Sequence, residues 1–228
     1  MSILKTIYLQ HLNASNTNMT LTEDGSSSVY RYYRFGSNPV NPSDSTASIY
    51  DQGGIGPTIS GYQFTVRTGS SPAERMRIDG NGYVTKPYQP SFNVGGLSTS
   101  SYTNGNAIKF NVTTWFDTQN NYNTSTGKFT APVAGLYYFG TVVLVQGAST
   151  GMEYDMVIVA AGTGFYAAPG RIEYQTGVSW GDGYLALGCQ QIHKLQAGDT
   201  AHVQFNAFGG GSLYNGDTWT RFYGHLIG

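Results

Sequence analysis

Chemistry needs groups that move protons, attack or hold a metal, and this chain scatters them. Its four histidines, His11, His193, His202 and His225, fall far apart, and no His-Glu-x-x-His, Cys-x-x-Cys or Gly-x-Ser-x-Gly occurs. Cys189 is the sole cysteine, so an intrachain disulfide is excluded. Set in Leu185-Ala-Leu-Gly-Cys189-Gln, it reads as a buried structural thiol rather than a nucleophile. Glu153 and Asp155 stand two apart on one face of a predicted strand, as a glycan-cleaving pair or a cation site would require. A solvated strand face is the preferred reading of that pair. Phe208-Gly-Gly-Gly-Ser212 has no following helix and no lysine, so it reads as a loop and not as a phosphate cradle. No Asp-rich loop offers the several oxygen ligands of a hard cation. The expectation is a protein that is not an enzyme and carries no cofactor or metal.

Two other stretches suit recognition. Trp180-Gly-Asp182-Gly-Tyr184 and Tyr214-Asn-Gly-Asp217-Thr-Trp219 each set a carboxylate in a glycine turn between large rings. A sugar offers a C–H face to a ring and hydroxyls to a polar group. Trp180, Asp182, Tyr184, Tyr214, Asp217 and Trp219 are therefore the candidate ligand-binding residues. The competing reading is a plain Asp-Gly turn with aromatics in the strands beside it.

Composition limits the partners. Charged residues make up 11% of the chain and the net charge is −1, so no basic stripe for nucleic acid exists. No run approaches the length of a membrane helix, and Met1 is not followed by the basic and apolar regions of a signal peptide. Aromatics reach 14%, with 18 tyrosines and 31 glycines. That mixture fits many short strands and turns, and a surface that binds through hydroxyls and rings. A chain made in a cytoplasm but composed like an exposed surface protein fits a virion component.

These residues must be positioned by strands, and the clearest is in residues 127–145, GKFTAPVAGLYYFGTVVLV. Tyr137, Phe139 and Thr141 point one way, and Leu136, Tyr138, Gly140 and Val142 the other. Both faces are largely apolar. A sandwich strand normally keeps one wet face, so cover is expected from the opposite sheet and from a neighbouring subunit. Asp117, Tyr122, Phe129, Gly135, Tyr137 and Phe139 follow the spacing of a known signature; Phe110, its opening Phe, stands one residue too far upstream, and Thr141 stands where the signature has an aromatic. Leu195-Gln-Ala-Gly198-Asp199 and Phe222-Tyr-Gly224-His-Leu226 continue it. In these residues the chain, from about residue 90 to its end, resembles the globular head of the complement C1q family. The resemblance implies a jelly roll of the tumour-necrosis-factor type and association in threes. Strands are expected near 107–112, 126–129, 135–145, 153–160, 173–178, 183–191, 201–207 and 218–227. In the last, Thr220, Phe222, Gly224 and Leu226 share one face and Trp219, Arg221, Tyr223 and His225 the other. Tyr138 and Tyr223 are expected at the trimer interface.

Residues 1–89 read as thin hairpins. Met19 to Gly25 ends in Asp-Gly, a hairpin signal. Residues 29–35, VYRYYRF, and 62–66 read as strands, 38–48 and 52–61 as loops, and 86–106 as a connector. Residues 73–84 read as a strand, an Asp79-Gly-Asn-Gly82 turn and a returning strand. The Glu74-Arg-Met-Arg-Ile-Asp79 segment with its glycine turn resembles an element of phage tail fibres. Such hairpins bury too little alone, and intertwining of three chains would solve that.

The whole reads as all-β: residues 1–89 a virion-attachment region and β-rich fibrous stem, residues 90–228 a C1q-like jelly-roll head, associated as a homotrimer. The expected function is a phage tail-fibre or receptor-binding protein of the virion surface, assembled in the host cytoplasm. Its expected partners are other virion proteins at the N-terminal region and a host surface receptor, a polysaccharide by composition. The alternatives are a structural virion protein, as a head fibre or capsid decoration, and a glycan depolymerase.

Overall fold

The computed structural model describes residues 33–34, 48–52, 56–60, 63–173 and 183–228, with backbone alone for 33–34, 48–52, 56–60 and 164–173. The chain divides into two compact units, Met1–Pro87 and Tyr88–Gly228. Among the described residues every regular element is a strand.

In the first unit β1 (Tyr33–Arg34), β2 (Ser48–Gln52) and β3 (Gly56–Ser60) form one antiparallel sheet. Residues 52–61 were expected to be a loop, yet β3 lies within them. Pro57 is tolerated there because β3 is an edge strand, where a missing N–H breaks no second ladder. The second sheet is β4 (Phe64–Thr68), β5 (Ala73–Ile78) and β6 (Val84–Thr85). The strand, glycine turn and returning strand expected over 73–84 are present. The turn is held by Asp79, whose Oδ1 accepts the N–H groups of Asn81 at 2.9 Å and Tyr83 at 3.0 Å. Phe64, Tyr83 and Val84 are exposed on this hairpin. The hairpin expected at Met19 to Gly25 lies outside the described residues.

The second unit is a two-sheet jelly roll. Its strands are β7 (Ser91–Gly95), β8 (Thr113–Asp117), β9 (Tyr122–Asn123), β10 (Lys128–Thr130), β11 (Gly135–Gln146), β12 (Glu153–Ala160), β13 (Thr163–Glu173), β14 (Leu185–Leu195), β15 (Thr200–Phe208), β16 (Ser212–Leu213) and β17 (Arg221–Leu226). One sheet runs β14-β11-β17-β7-β8, with β16 added to β11; the other runs β13-β12-β15-β10-β9. All pairings are antiparallel.

Alternation decides what faces the core. From β11, Tyr137, Phe139, Thr141, Val143 and Val145 are buried, while Leu136 is exposed and Tyr138, Val142 and Leu144 are half-buried. Thr220 and Phe222 point inward as their alternation predicts. The opposite sheet contributes Tyr154, Met156, Ile158, Val203 and Phe205. At the centre Phe92 stacks on Phe129 at 4.8 Å and meets Phe222 edge-on at 4.9 Å, and Phe129 meets Phe139 at 5.6 Å. Offset and edge-on rings in such clusters add to the burial of their area.

Several boundaries differ from the expectation. Residues 86–106, expected as a connector, contain β7, a strand between β17 and β8 that buries Phe92 and Val94. The prolines before it and Gly95-Gly96 after it leave only five residues of pattern. Residues 107–112 are not a strand: they make one bridge, Ala107 to Gln204, and the strand follows at Thr113–Asp117. Asn104, Gly105 and Ile108 satisfy the free edge of β15 there through mixed side-chain and backbone bonds, so no regular ladder forms. The strand expected over 173–178 meets the described residues only at Glu173, where β13 ends.

The signature residues each have a mechanical reason. Asp117 accepts the N–H groups of Asn121 and Tyr122, both at 2.9 Å, closing a turn in which Gln119 and Asn120 take positive φ. The Tyr122 hydroxyl accepts the Phe110 N–H at 3.2 Å inside the core. Gly224 pairs directly with Phe139, and a Cβ there would lie 2.6 Å from the Phe139 ring and 2.8 Å from the Tyr138 carbonyl oxygen. Gly140 pairs with Tyr223, whose ring occupies the matching space on the outer face.

Gly224→Ala is therefore expected to destabilise the head by ~1–3 kcal/mol, the usual range for an overpacked core. Chemical denaturation against wild type checks this, and an unchanged midpoint would show that the strands part without cost.

Candidate binding surfaces

The jelly roll has two unlike ends. At one the chain enters: the Leu226 N–H donates to the Pro90 carbonyl at 2.9 Å, beside the Gln196–Asp199 turn, whose Asp199 accepts the Gln196 N–H at 2.7 Å. The other end carries the loops of residues 96–112, 147–152, 183–184 and 209–220.

Four of the six candidate ligand-binding residues are described, and all lie at this second end. Trp180 and Asp182 lie outside the described residues. Tyr184 and Tyr214 meet edge-on with ring centroids 6.2 Å apart. Trp219 stands in solvent at 57% exposure. Asp217 turns inward: its Oδ2 accepts the Thr113 hydroxyl at 2.6 Å and its Oδ1 lies 3.5 Å from the Thr218 hydroxyl. It ties the loop to the start of β8. The Thr220 hydroxyl donates to the Tyr214 carbonyl at 2.8 Å, and Tyr214 N–H to Leu144 at 2.7 Å. The loop is thus a pinned platform of rings, with its carboxylate engaged in holding it. Thr113 as partner of Asp217 is invisible in sequence, because 104 positions separate them.

The titratable groups do not converge. Asp155, expected on a solvated face with Glu153, is 4% exposed, and in backbone register with Arg171. The reason is that β12 lies inside its sheet, flanked by β13 and β15. Burial pushes the Cys189 thiol above its ordinary range, which suits a structural role. Among the described residues no three His, Cys, Asp or Glu side chains group as metal ligands. His193 and His202 sit on opposite sheets, both held below the ordinary histidine value by burial. His202 is pushed down to about 4, first by burial and second by Lys128, its cross-strand partner.

A second surface is the outer face of the six-stranded sheet. Tyr138 lies 6.3 Å from the Tyr223 ring and 5.4 Å from that of His225, and its hydroxyl donates to Gln190 Oε1 at 2.6 Å. Arg221 lies 5.8 Å over the Trp115 ring, which itself covers Gly95. Around them Leu136, Ile192, Trp115 and Phe116 are 45%, 60%, 44% and 50% exposed. Arg221 Nε and Asn93 Oδ1, on the same face, are buried without a hydrogen-bond partner among the described residues. Buried polar atoms rarely stay unpaired. The sequence indicated Tyr138 and Tyr223 here; the adjacent pair Trp115-Phe116 was a further signal that a predicted strand ending at residue 112 concealed.

Comparison with known proteins agrees in one region. A family model described as C1q domain matches residues 91–227. The globular domain of zebrafish complement 1qA is similar, at 22% identity over 61% of this chain and 98% of that domain, with a TM-score of 0.44. Murine APRIL is similar at 11% identity over 61% of this chain and 99% of its own, with a TM-score of 0.44. No curated protein sequence matches.

His202 sets a pH dependence. Histidine titrates near 6.5 in an unfolded chain. The unfolded state therefore gains its proton near pH 6.5, and the folded state only at about 4. Stability is complete above roughly pH 6.5 and declines as pH falls through that window. His193 adds in the same direction. Denaturation midpoints measured from pH 7 to 4 should fall, and should fall less in His202→Gln. An equal fall in the variant would remove His202 as a cause.

Proposed function

This chain belongs to the C1q domain family, and we propose that it works as a homotrimeric adhesin of a virion surface, a bacteriophage tail fibre. On this reading the N-terminal region attaches to other virion proteins and builds the stem. The head binds a host surface receptor of polysaccharide type.

The observation that carries the trimer is the outer face of the six-stranded sheet. Leu136, Ile192, Trp115 and Phe116 stand about half in water there, beside the Tyr138, Tyr223 and His225 rings. Removing such area from water yields about 25 cal/mol per Å². A second copy laid across the face supplies that cover. A head-to-tail contact of this kind closes as a ring when the rotation allows it.

What supports adhesion is the end of the head away from the chain entry. It presents Tyr214 and Trp219 on a pinned loop, with the Tyr184 ring edge-on to Tyr214. A nearly uncharged surface of rings, hydroxyls and amides recognises sugars by stacking and neutral hydrogen bonds rather than by charge. Binding, not catalysis, is the role such a platform fits, because Asp217 is committed to Thr113. The virion assignment draws on the Glu74–Asp79 resemblance to tail fibres and on the exposed apolar hairpin around Tyr83 and Val84.

Light scattering of the full chain should give a three-chain mass. Tyr223→Asp should shift that mass toward one chain, since it buries a charge at the contact. Wild-type trimers should adsorb to host cells and block infection. Trimers that form but neither adsorb nor block would overturn the adhesin reading in favour of a purely structural virion protein.

A further inference from the structure

A cleft of about 280 Å³ opens at the loop-bearing end, between the 96–112 loop and β16. Its floor is apolar: Leu97, Ile108 and Leu213 are buried. Its rim is polar and carries no carboxylate. Ser101, Thr103 and Asn106 face it, and among the described residues their side chains are not engaged elsewhere. Lys109 is the sole charged residue among those lining it.

The cleft is held open by bonds that do not involve those three groups. Asn111 Oδ1 accepts the Ser98 N–H at 2.9 Å, and Asn111 Nδ2 donates to Ser98 Oγ at 3.0 Å. The Leu213 N–H donates to the Ser100 carbonyl at 3.1 Å. Tyr102 packs edge-on against Phe205 at 4.8 Å, and its hydroxyl donates to the Gly211 carbonyl at 3.4 Å. The recess is therefore formed before any ligand arrives, which lowers the entropic cost of binding.

We propose that this cleft binds the terminal unit of a neutral glycan. The proposal rests on the reading of the head as a polysaccharide-binding module and names where on it a sugar ring sits. Apolar floor and neutral rim match the two surfaces of a sugar, its C–H face and its hydroxyls. One lysine without a helix N-terminus or a second cation is a poor anion site. An entirely apolar ligand would leave the rim groups unpaired. The volume lies just under the range of about 300–1,000 Å³ for small-ligand pockets, which suits one or two sugar rings and not a long chain.

The test uses the full chain and neutral methyl glycosides of glucose, galactose, mannose and N-acetylglucosamine, read by saturation-transfer NMR. At least one should receive saturation from the protein. Ser101→Trp, which fills the cleft, and Asn106→Ala, which removes a donor and an acceptor, should each weaken it roughly tenfold or more. Thermal denaturation of both cleft variants confirms that they fold. No saturation of any glycoside, or equal binding by both folded variants, would overturn the proposal. Cell adsorption separates the two claims: adsorption retained by Ser101→Trp leaves the adhesin and removes the cleft. Wild-type chain that adsorbs to no host cell removes the adhesin reading itself.

Discussion

The head depends on how closely β11 and β17 approach, and a reciprocal exchange of glycine and ring sets that approach. Phe139 of β11 lies over Gly224 of β17 on the core side, and Tyr223 of β17 lies over Gly140 of β11 on the outer side. The two pairs are adjacent in the ladder, so each strand gives one ring and one vacancy. Glycine in a strand interior costs entropy and packing, and here each cost is offset by a ring that fills the gap. The inner pair fixes the aromatic cluster of Phe92, Phe129, Phe139 and Phe222. The outer pair fixes the tilt of Tyr223 against Tyr138. Core packing and the character of the outer face are thus one constraint seen from two sides of the sheet.

That constraint explains why the outer face is ordered before any partner meets it. Trp115 repeats the device over Gly95, with Arg221 above its ring. Two rings set against glycines on this face, Tyr223 on Gly140 and Trp115 on Gly95, make a low, rigid relief. Flat aromatic surface loses little side-chain freedom on burial, and rotamer-poor residues are cheap to immobilise. On the proposed reading the trimer contact is thereby largely preorganised by the same pairings that hold the monomer's sheet together.

How far the sequence could be read follows from pattern length. β11 spans 12 residues and β12 spans 8, enough for alternation to place both within a residue or two. β7 has five, fenced by prolines and glycines, and reads as linker although it lies inside the sheet. The 104–110 segment satisfies β15 through asparagine side chains, so its backbone needs no strand pattern while its composition suggests one. At the loop-bearing end the aromatic residues were legible as a group, because rings beside Asp-Gly turns stand out. The fate of Asp217 was not, since its partner Thr113 comes from another strand. The cleft was illegible altogether, because its lining comes from a stretch that reads as connector, from residues 107–111 that read as strand, and from Leu213 of distant β16. Long-range pairing hides in sequence for the same reason that it holds a fold: its energy is realised only after distant strands have met.

The scarcity of charge ties surface to mechanism. A chain with 11% charged residues has little to steer a ligand over distance. On the proposed reading its contacts with a sugar are short-ranged and individually weak, since each neutral hydrogen bond nets only about 0.5–1.5 kcal/mol after water is displaced. A lone site of that kind would release its ligand quickly. Three copies facing one surface turn each later contact into an intramolecular event at raised effective concentration. The apolar outer face and the neutral loop-bearing end are then two requirements of one design on the proposed reading. The first sets the number of sites, and that number makes weak, salt-insensitive sites sufficient.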